Sequence, residues 1–408
     1  MNALIKHASG YWGTKTDFAS LLAHVDKVGP ILDKNSEENE KLGRLNEETF
    51  EALKPLRMSH VFAGEDIGGA QLSPTQGLQL IEAITYHSGA AGWISMVHTC
   101  IGAMSAAFLP DTAIGRLFDG KTDNRFSGQG TPTGMLKKVD GGYRLNGKWA
   151  YASGIYHATY THTAALLDDG NGHPAKDEKG NVIVLCAHAP VGEHELLGNW
   201  NSLGLQATGS IDYAANDVFI PDDMVFPILT AEPQRMKEFF SLGVVGLAAI
   251  GHSGWAIGAA RRMLDEAAKY AKTKTGRAGM LGESDKFWFD FGRAEARVRA
   301  ARALLFEVWR DVEASIEAGN RMTTRQISLV HLAKSEVHEG GVDACHFVYR
   351  ALGGASLRYG VMQRIYREML TAANHFTINP NIVAAAGRDI AGVWSDRVWQ
   401  FYDLIEKK

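Results

Sequence analysis

Apolar positions recur about every 3.6 residues in three early segments, 18–32, 48–56 and 72–85. That spacing predicts helices through the region from Thr16 to Gly120. Between Asp123 and Phe226 the pattern changes to short β-branched and aromatic runs separated by Gly, Asn, Asp and Pro, which predicts a compact β unit. Within it, 143–149 is expected to form a hairpin about Asn146-Gly147, because both central positions of a type I′ turn need positive φ. A polar connection at 168–180 leads to an expected strand at 181–188. Another is expected at 211–220, closed by Pro221-Asp222-Asp223. From Pro233 onward helical spacing returns in 243–272, 285–318, 324–352 and a last helical segment to Lys408, and long helices in that number suggest a bundle. The chain reads as α+β and mostly α, with an N-terminal helical domain (1–122), a β domain (123–230) and a C-terminal helical bundle (231–408).

Two stretches, 83–110 and 239–260, carry no charged side chain and are long enough to cross a bilayer. The first holds His87, Ser88, Ser95, His98 and Thr99, and the second His252, Ser253 and five glycines. That composition suits the interior of a bundle better than hydrocarbon, so no membrane association is expected. Forty-two Lys plus Arg against 46 Asp plus Glu leave a formal charge of −4, which offers no broad positive field for nucleic acid. Cys100, Cys186 and Cys345 are far apart and form no CxxC, and the opening residues lack the apolar core of a signal peptide. A cytoplasmic location is expected. No HExxH motif or tight histidine–carboxylate cluster calls for a metal. Gly142 to Lys148 imitates a phosphate-binding loop but continues with Trp149 where Ser or Thr would bind magnesium. Gly128-Gln129-Gly130 has no βαβ surroundings, so no nicotinamide nucleotide site is expected either.

Three segments carry a resemblance. Gly141-Gly142-Tyr143-Arg144-Leu145-Asn146-Gly147-Lys148-Trp149 with Ala150 to Gly154, Trp200 to Ser210 with its Leu203-Gly204 and Thr208-Gly209-Ser210, and Ala351-Leu352-Gly353-Gly354 followed by Arg364-Ile365-Tyr366-Arg367-Glu368 occur in this order. Together they resemble the acyl-CoA dehydrogenase superfamily. The resemblance implies an α-helical domain, a central β-barrel and a C-terminal four-helix bundle, with a flavin between barrel and bundle. It further implies a flavin edge lined by Gly128, Gln129, Gly130 and Thr131, with Trp149 and Ser153 nearby. Arg277, Gly353 and Gly354 would approach the flavin's phosphate or dinucleotide tail.

A thioester dehydrogenase needs a glutamate to remove a substrate proton. None occurs between Glu368 and Glu406, and no acidic residue stands between Glu238 and Asp265. His98, Ser153 and His375 instead resemble the catalytic positions of flavin-dependent monooxygenases that share this fold, the oxygenase components of two-component systems. That branch takes reduced FMN or FAD from a separate NAD(P)H:flavin reductase and uses O2, through a C4a-hydroperoxyflavin, to hydroxylate a small phenol- or indole-like substrate. It also assembles as a homotetramer. Here Ser153 would hold the flavin N5 region, His375 the peroxide, and His98 would take a proton from the substrate; an unperturbed imidazole titrates near ~6.5. N- or S-oxygenation on the same fold, and flavin acyl-CoA dehydrogenation, stay open as alternatives. Trp93, Phe108, Phe239, Phe240, Phe376 and Trp394 are the aromatic residues expected to wall a flat substrate.

Overall fold

Caps as well as apolar spacing set the first helices. The structure, a computed structural model, describes residues 11–12, 18–119, 122–229, 231–276, 279–394 and 396–406. It begins with α1 (Phe18–Leu42), α2 (Glu47–Leu53), α3 (Pro74–His87), α4 (Gly89–Phe108) and α5 (Asp111–Leu117). Ser73 and Gln76 form a capping box on α3, each side chain accepting from the other's backbone N–H, with Pro74 at the first turn where no donor is needed. Ser88 ends α3 and caps α4 through Ala91 N–H. The two helices therefore fold back on each other about one residue.

The β layer contains β1 (Phe126–Val139), β2 (Gly142–Ala152), β3 (Tyr160–Leu167), β4 (Val184–Pro190), β5 (Glu195–Leu196), β6 (Ile211–Pro221) and β7 (Val225–Pro227). They form one mixed sheet in the order β5-β6-β2-β1-β3-β4-β7, with β1 and β3 parallel. The sheet curls until β4 lies against β6, and its ladder stays open between β5 and β7 among the described residues. The expected hairpin about Asn146-Gly147 is not formed: the β1–β2 turn lies at Asp140-Gly141, and Asn146-Gly147 sits inside β2. The sequence signal there marks a bulge. The β2–β6 register shifts between Leu145 and Gly147, Asn146 Oδ1 accepts from Asp217 N–H at 2.9 Å, and Gly147 has φ 154°. A Cβ on Gly147 would lie 2.5 Å from Gly134 Cα, so the two backbones meet only because both residues are glycine.

The chain then returns to helices α6 (Lys237–Phe240) and α7 (Gly243–Ala271), passes the two-residue strands β8 (Thr275–Gly276) and β9 (Gly279–Met280), and continues through α8 (Asp285–Glu317), α9 (Thr324–Leu352), α10 (Gly354–Leu357), α11 (Val361–Ala373) and α12 (Pro380–Ile390). Helices α7, α8, α9 and α11 form the bundle, centred on α9, and the other face of α7 packs on α3 and α4. The two uncharged stretches are thus interior helices, each burying its most apolar window. The expected last helical segment holds as α10 to α12 as far as Ile390, and beyond it the chain forms a hairpin, β10 (Arg397–Gln400) with β11 (Asp403–Glu406), whose Trp399 donates its indole N–H to Ser328 Oγ on α9 at 2.9 Å. Docking of that tryptophan on the bundle outweighs local helical spacing.

Candidate functional site

At the end of β2 the backbone turns sharply. Tyr151 has φ 64° and Gly154 φ 75°, Ser153 N–H donates to Tyr151 O, and Gly154 N–H donates to Thr208 O. The turn aims Ser153 at α4, where the Trp93 indole N–H donates to Ser153 Oγ at 3.1 Å. Ser153 Oγ lies 2.6 Å from Ser210 Oγ, which lies 2.6 Å from Thr208 Oγ1, and the Thr208 hydroxyl donates to Leu205 O at 2.7 Å. A carbonyl only accepts, so the direction of the chain is fixed. Thr208 takes the Ser210 proton as a hydrogen bond and Ser210 takes that of Ser153. Ser153 Oγ keeps one lone pair beyond the one used by Trp93.

His98, further along α4, places Nε2 at 3.3 Å from Gly154 O. Nε2 therefore carries the ring proton and Nδ1 is the acceptor. Burial foremost, with His157 and Arg125 acting in the same direction, pushes its pKa down to about 3. The sequence reading of a base near neutrality does not hold for this imidazole: it stays neutral and orients what it touches.

His375 follows α11 as a helix cap. Its Nδ1 accepts from Thr377 N–H at 3.4 Å and lies 3.0 Å from Thr377 Oγ1, which leaves Nε2 as the N–H donor. Its ring centre is 5.8 Å from that of Trp93 and 4.5 Å from that of His252 on α7, and His252 is 6.2 Å from His338 on α9. Burial holds His375 and His338 down to about 4 and His252 well below its ordinary range. Among the described residues no carboxylate contributes to any of these shifts. Trp93 thus joins Ser153 on one side to His375 on the other, and the three expected catalytic residues lie around one junction of α4, β2 and the bundle.

The expected cofactor residues divide. Gly128 to Thr131 lie in β1, where pairing with β3 skips from Gln129 to Gly134 and pairing with β2 begins only at Met135, leaving 130–133 without ladder partners. Side chains hold the gap instead: Gln129 Nε2 donates to Ala150 O, Thr133 Oγ1 to Lys148 O and Ser127 Oγ to Ser153 O. Gly130 and Thr131 are exposed, with open space above Gly130. Unpaired, exposed backbone beside Ser153 fits the edge of a planar, hydrogen-bonding ring such as a flavin. Gly128 serves packing, since a Cβ there would lie 2.1 Å from His162 O. Trp149 is fully buried, stacked on Tyr213, with its N–H donated to Ala164 O, so its ring is closed to a ligand. Gly353 has φ 53°, and Gly354 beside it lines a separate surface hollow of about 520 Å³ with Tyr270, Arg358 and Gln363, which includes none of His98, Ser153 or His375. Arg277 lies outside the described residues.

Sequence reasoning missed Ser210 and Thr208, although both stand in a quoted motif, missed His338, and marked His252 only as a polar group in an uncharged run. Phe239 and Phe240 belong to the core around Phe62 and Trp12, Phe108 stacks on Phe226, and Trp394 lies between Arg388 and Arg397; Trp93 and Phe376 touch the His375 ring. His162, Cys186 and His188 also converge, their donor atoms within 4.8 Å, beneath α4. His162 Nδ1 and His188 Nε2 lie 3.1 Å apart, and His188 Nε2 is 2.9 Å from Ser105 Oγ, so the nitrogens are engaged in hydrogen bonding.

Residues 250–380 match the family described as acyl-CoA dehydrogenase, C-terminal domain. Indole-3-acetate monooxygenase of Acinetobacter baumannii is 26% identical over 298 residues, covering 71% of this chain and 72% of that protein. The oxygenase component of p-hydroxyphenylacetate 3-hydroxylase from the same species is 24% identical over 398 residues, covering 92% and 90%. Among solved structures, XiaF from Streptomyces sp., in complex with FADH2 and glycerol, superposes with a TM-score of 0.84 over 92% of this chain and 96% of that one at 19% identity. The fold is that of the acyl-CoA dehydrogenases.

Proposed function

We propose that this protein is the oxygenase component of a two-component flavin-dependent monooxygenase that uses O2 to hydroxylate a small phenol- or indole-like substrate. The observation that carries the reading is the directed chain Trp93–Ser153–Ser210–Thr208, which leaves a fixed acceptor at Ser153 beside carboxylate-free histidines. A dehydrogenase would need a base where His375 stands, and His375 presents a donor.

Reduced FMN or FAD, when bound, supplies the two electrons that activate O2, one oxygen atom passing to the substrate and the other leaving as water. The spare lone pair of Ser153 would hold the flavin N5–H. The exposed 130–133 backbone lines the ring edge. The His375 Nε2–H donates to oxygen at the site, while Nδ1 of neutral His98 accepts from the substrate hydroxyl or ring N–H and orients it. The apolar bodies of Trp93 and Phe376 keep water from the reacting atoms.

A separate NAD(P)H:flavin reductase would supply the reduced flavin, consistent with relatives named as oxygenase components. Exposed Trp288, Phe289, Leu357 and Tyr359 support burial against further copies, read here as a homotetramer. The interior placement of α4 and α7 supports a protein without membrane association, and its location is proposed as cytoplasmic. The test is to supply reduced FMN or FAD and O2 with phenols and indoles. A hydroxylated product, together with no NAD(P)H oxidation by the chain alone, supports the reading. Oxidation of acyl-CoA with tightly held oxidised flavin defeats it.

A further inference from the structure

Among the described residues, the side chain of Lys334 is a buried cation with no anion beside it. Lys334 on α9 is 1% exposed, and its nearest hydrogen-bonding neighbour is His331 Nδ1 at 3.5 Å. Its ammonium lies 5.2 Å from the centre of the Tyr402 ring, between the last two strands. Among the described residues no carboxylate lies within ion-pair distance of it or contributes to its titration. His331, Lys334 and His338 follow one face of α9 at i, i+3 and i+7, the spacing that lines up side chains. That face meets His252 of α7, which is in ring contact with His375. Three imidazole nitrogens around the lysine, His331 Nε2, His338 Nε2 and His252 Nδ1, are buried without a hydrogen-bond partner. Each such orphan costs free energy, and a buried ammonium without a counterion costs more. These unpartnered atoms, linked to the reacting site through the ring contacts of His338, His252 and His375, are complementary to a group that the chain itself does not supply.

Resting on the function proposed above, we infer that Lys334 is the subsite for an acidic substituent, so that the substrate is an aromatic ring bearing a carboxylate on a short arm. The ring lies against Trp93 and His375, and the arm passes His252 toward the lysine. A carboxylate brings two oxygens and about four acceptor positions, and so can answer the lysine together with the His331 Nε2–H, whose Nδ1 faces the lysine; His338 donates through Nδ1 to Lys334 O, so its Nε2 is an acceptor. Burial keeps the amine down to about 7, so about half of it is neutral at pH 7 and takes up a proton as the acid arrives. Two of the related proteins are named for acids of this kind, indole-3-acetate and p-hydroxyphenylacetate.

The experiment is anaerobic calorimetry on the full chain saturated with reduced flavin, using two probe pairs: 4-hydroxyphenylacetate with its amide and indole-3-acetate with its amide. Wild type is expected to bind the acid of at least one pair about tenfold or more tighter than its amide, with a heat that varies with buffer ionisation because a proton is taken up. Lys334→Met, close in volume and suited to a dry interior, should bring that ratio to about one with reduced-flavin affinity unchanged. A ratio unchanged in Lys334→Met, a wild type that favours the amides, or binding of neither pair by flavin-loaded protein overturns the subsite and leaves the oxygenase reading standing. Failure of wild type to bind reduced flavin at all overturns both.

Discussion

The indole N–H of Trp93 and the hydroxyl oxygen of Ser153 meet at 3.1 Å, across the junction between α4 and the turn that ends β2. Everything assigned to Ser153 depends on that contact. It occupies one lone pair, Ser210 takes the hydroxyl proton, and the remaining acceptor is the one proposed to meet the reduced flavin.

Ser153→Ala should therefore have two separable effects. Loss of the oxygen leaves a buried indole N–H without a partner, and denaturant titration should register a loss of about 1–3 kcal/mol. Turnover with reduced flavin should release more hydrogen peroxide per product formed, by roughly tenfold. Ser210→Ala, which frees the Ser153 proton without removing its oxygen, should fall between the two. Equal coupling in all three proteins would remove Ser153 from the flavin site.

His375→Ala should act on oxygen rather than on substrate. Peroxide release without substrate should rise, while the dissociation constant for substrate changes little. A variant with wild-type oxygen consumption and only weakened substrate binding would make His375 a pocket wall.

His98→Ala should lower hydroxylation by ~10²-fold, within the span of positioned proton-handling groups, without changing the rate of oxygen uptake. Because this imidazole is held at about 3, the rate should not titrate on it between pH 5.5 and 8. A kinetic pKa near 6.5 that disappears in His98→Ala would contradict its role as a neutral acceptor.

How far the sequence carried can be judged residue by residue. His98 and His252 stood out as polar groups in uncharged helical runs, and both prove to face the same junction. Ser153 was legible because a glycine-containing motif ends at it. His338 and Lys334 were not, because α9 carries charge along its length and a His-Lys-His face reads as solvated until Trp399 and Tyr402 are known to cover it. Asn146-Gly147 misled for a local reason: glycine at φ 154° serves a bulge as well as a turn. The chain's last residues defeated helical spacing because tertiary docking of one tryptophan decides them.

The buried imidazoles also predict an acid limit. His338 titrates at about 6.5 when unfolded and at about 4 when folded, so between these values the unfolded chain binds more protons and stability falls as pH falls. Melting temperature should decline from pH 6.5 to 4. His338→Asn should flatten that slope, its wild-type share reaching roughly 3 kcal/mol at full protonation. An unchanged slope would show that His338 is solvated.

Lys334→Met should have the opposite effect on the empty protein. A lysine at about 7 when folded and ~10.4 when unfolded costs stability at pH 7, so the variant should melt higher there, by an amount equivalent to a few kcal/mol, in the order of ~2–4. A lower melting point would mean that the ammonium has a partner in the folded state.

Isotope labelling tests the central claim most directly. With chemically reduced FMN or FAD, a phenol or indole carboxylate and ¹⁸O2, mass spectrometry of the product should show one labelled oxygen atom on the ring. Product oxygen drawn from water, or a desaturated thioester formed from an acyl-CoA with no oxygen incorporated, would contradict the monooxygenase account.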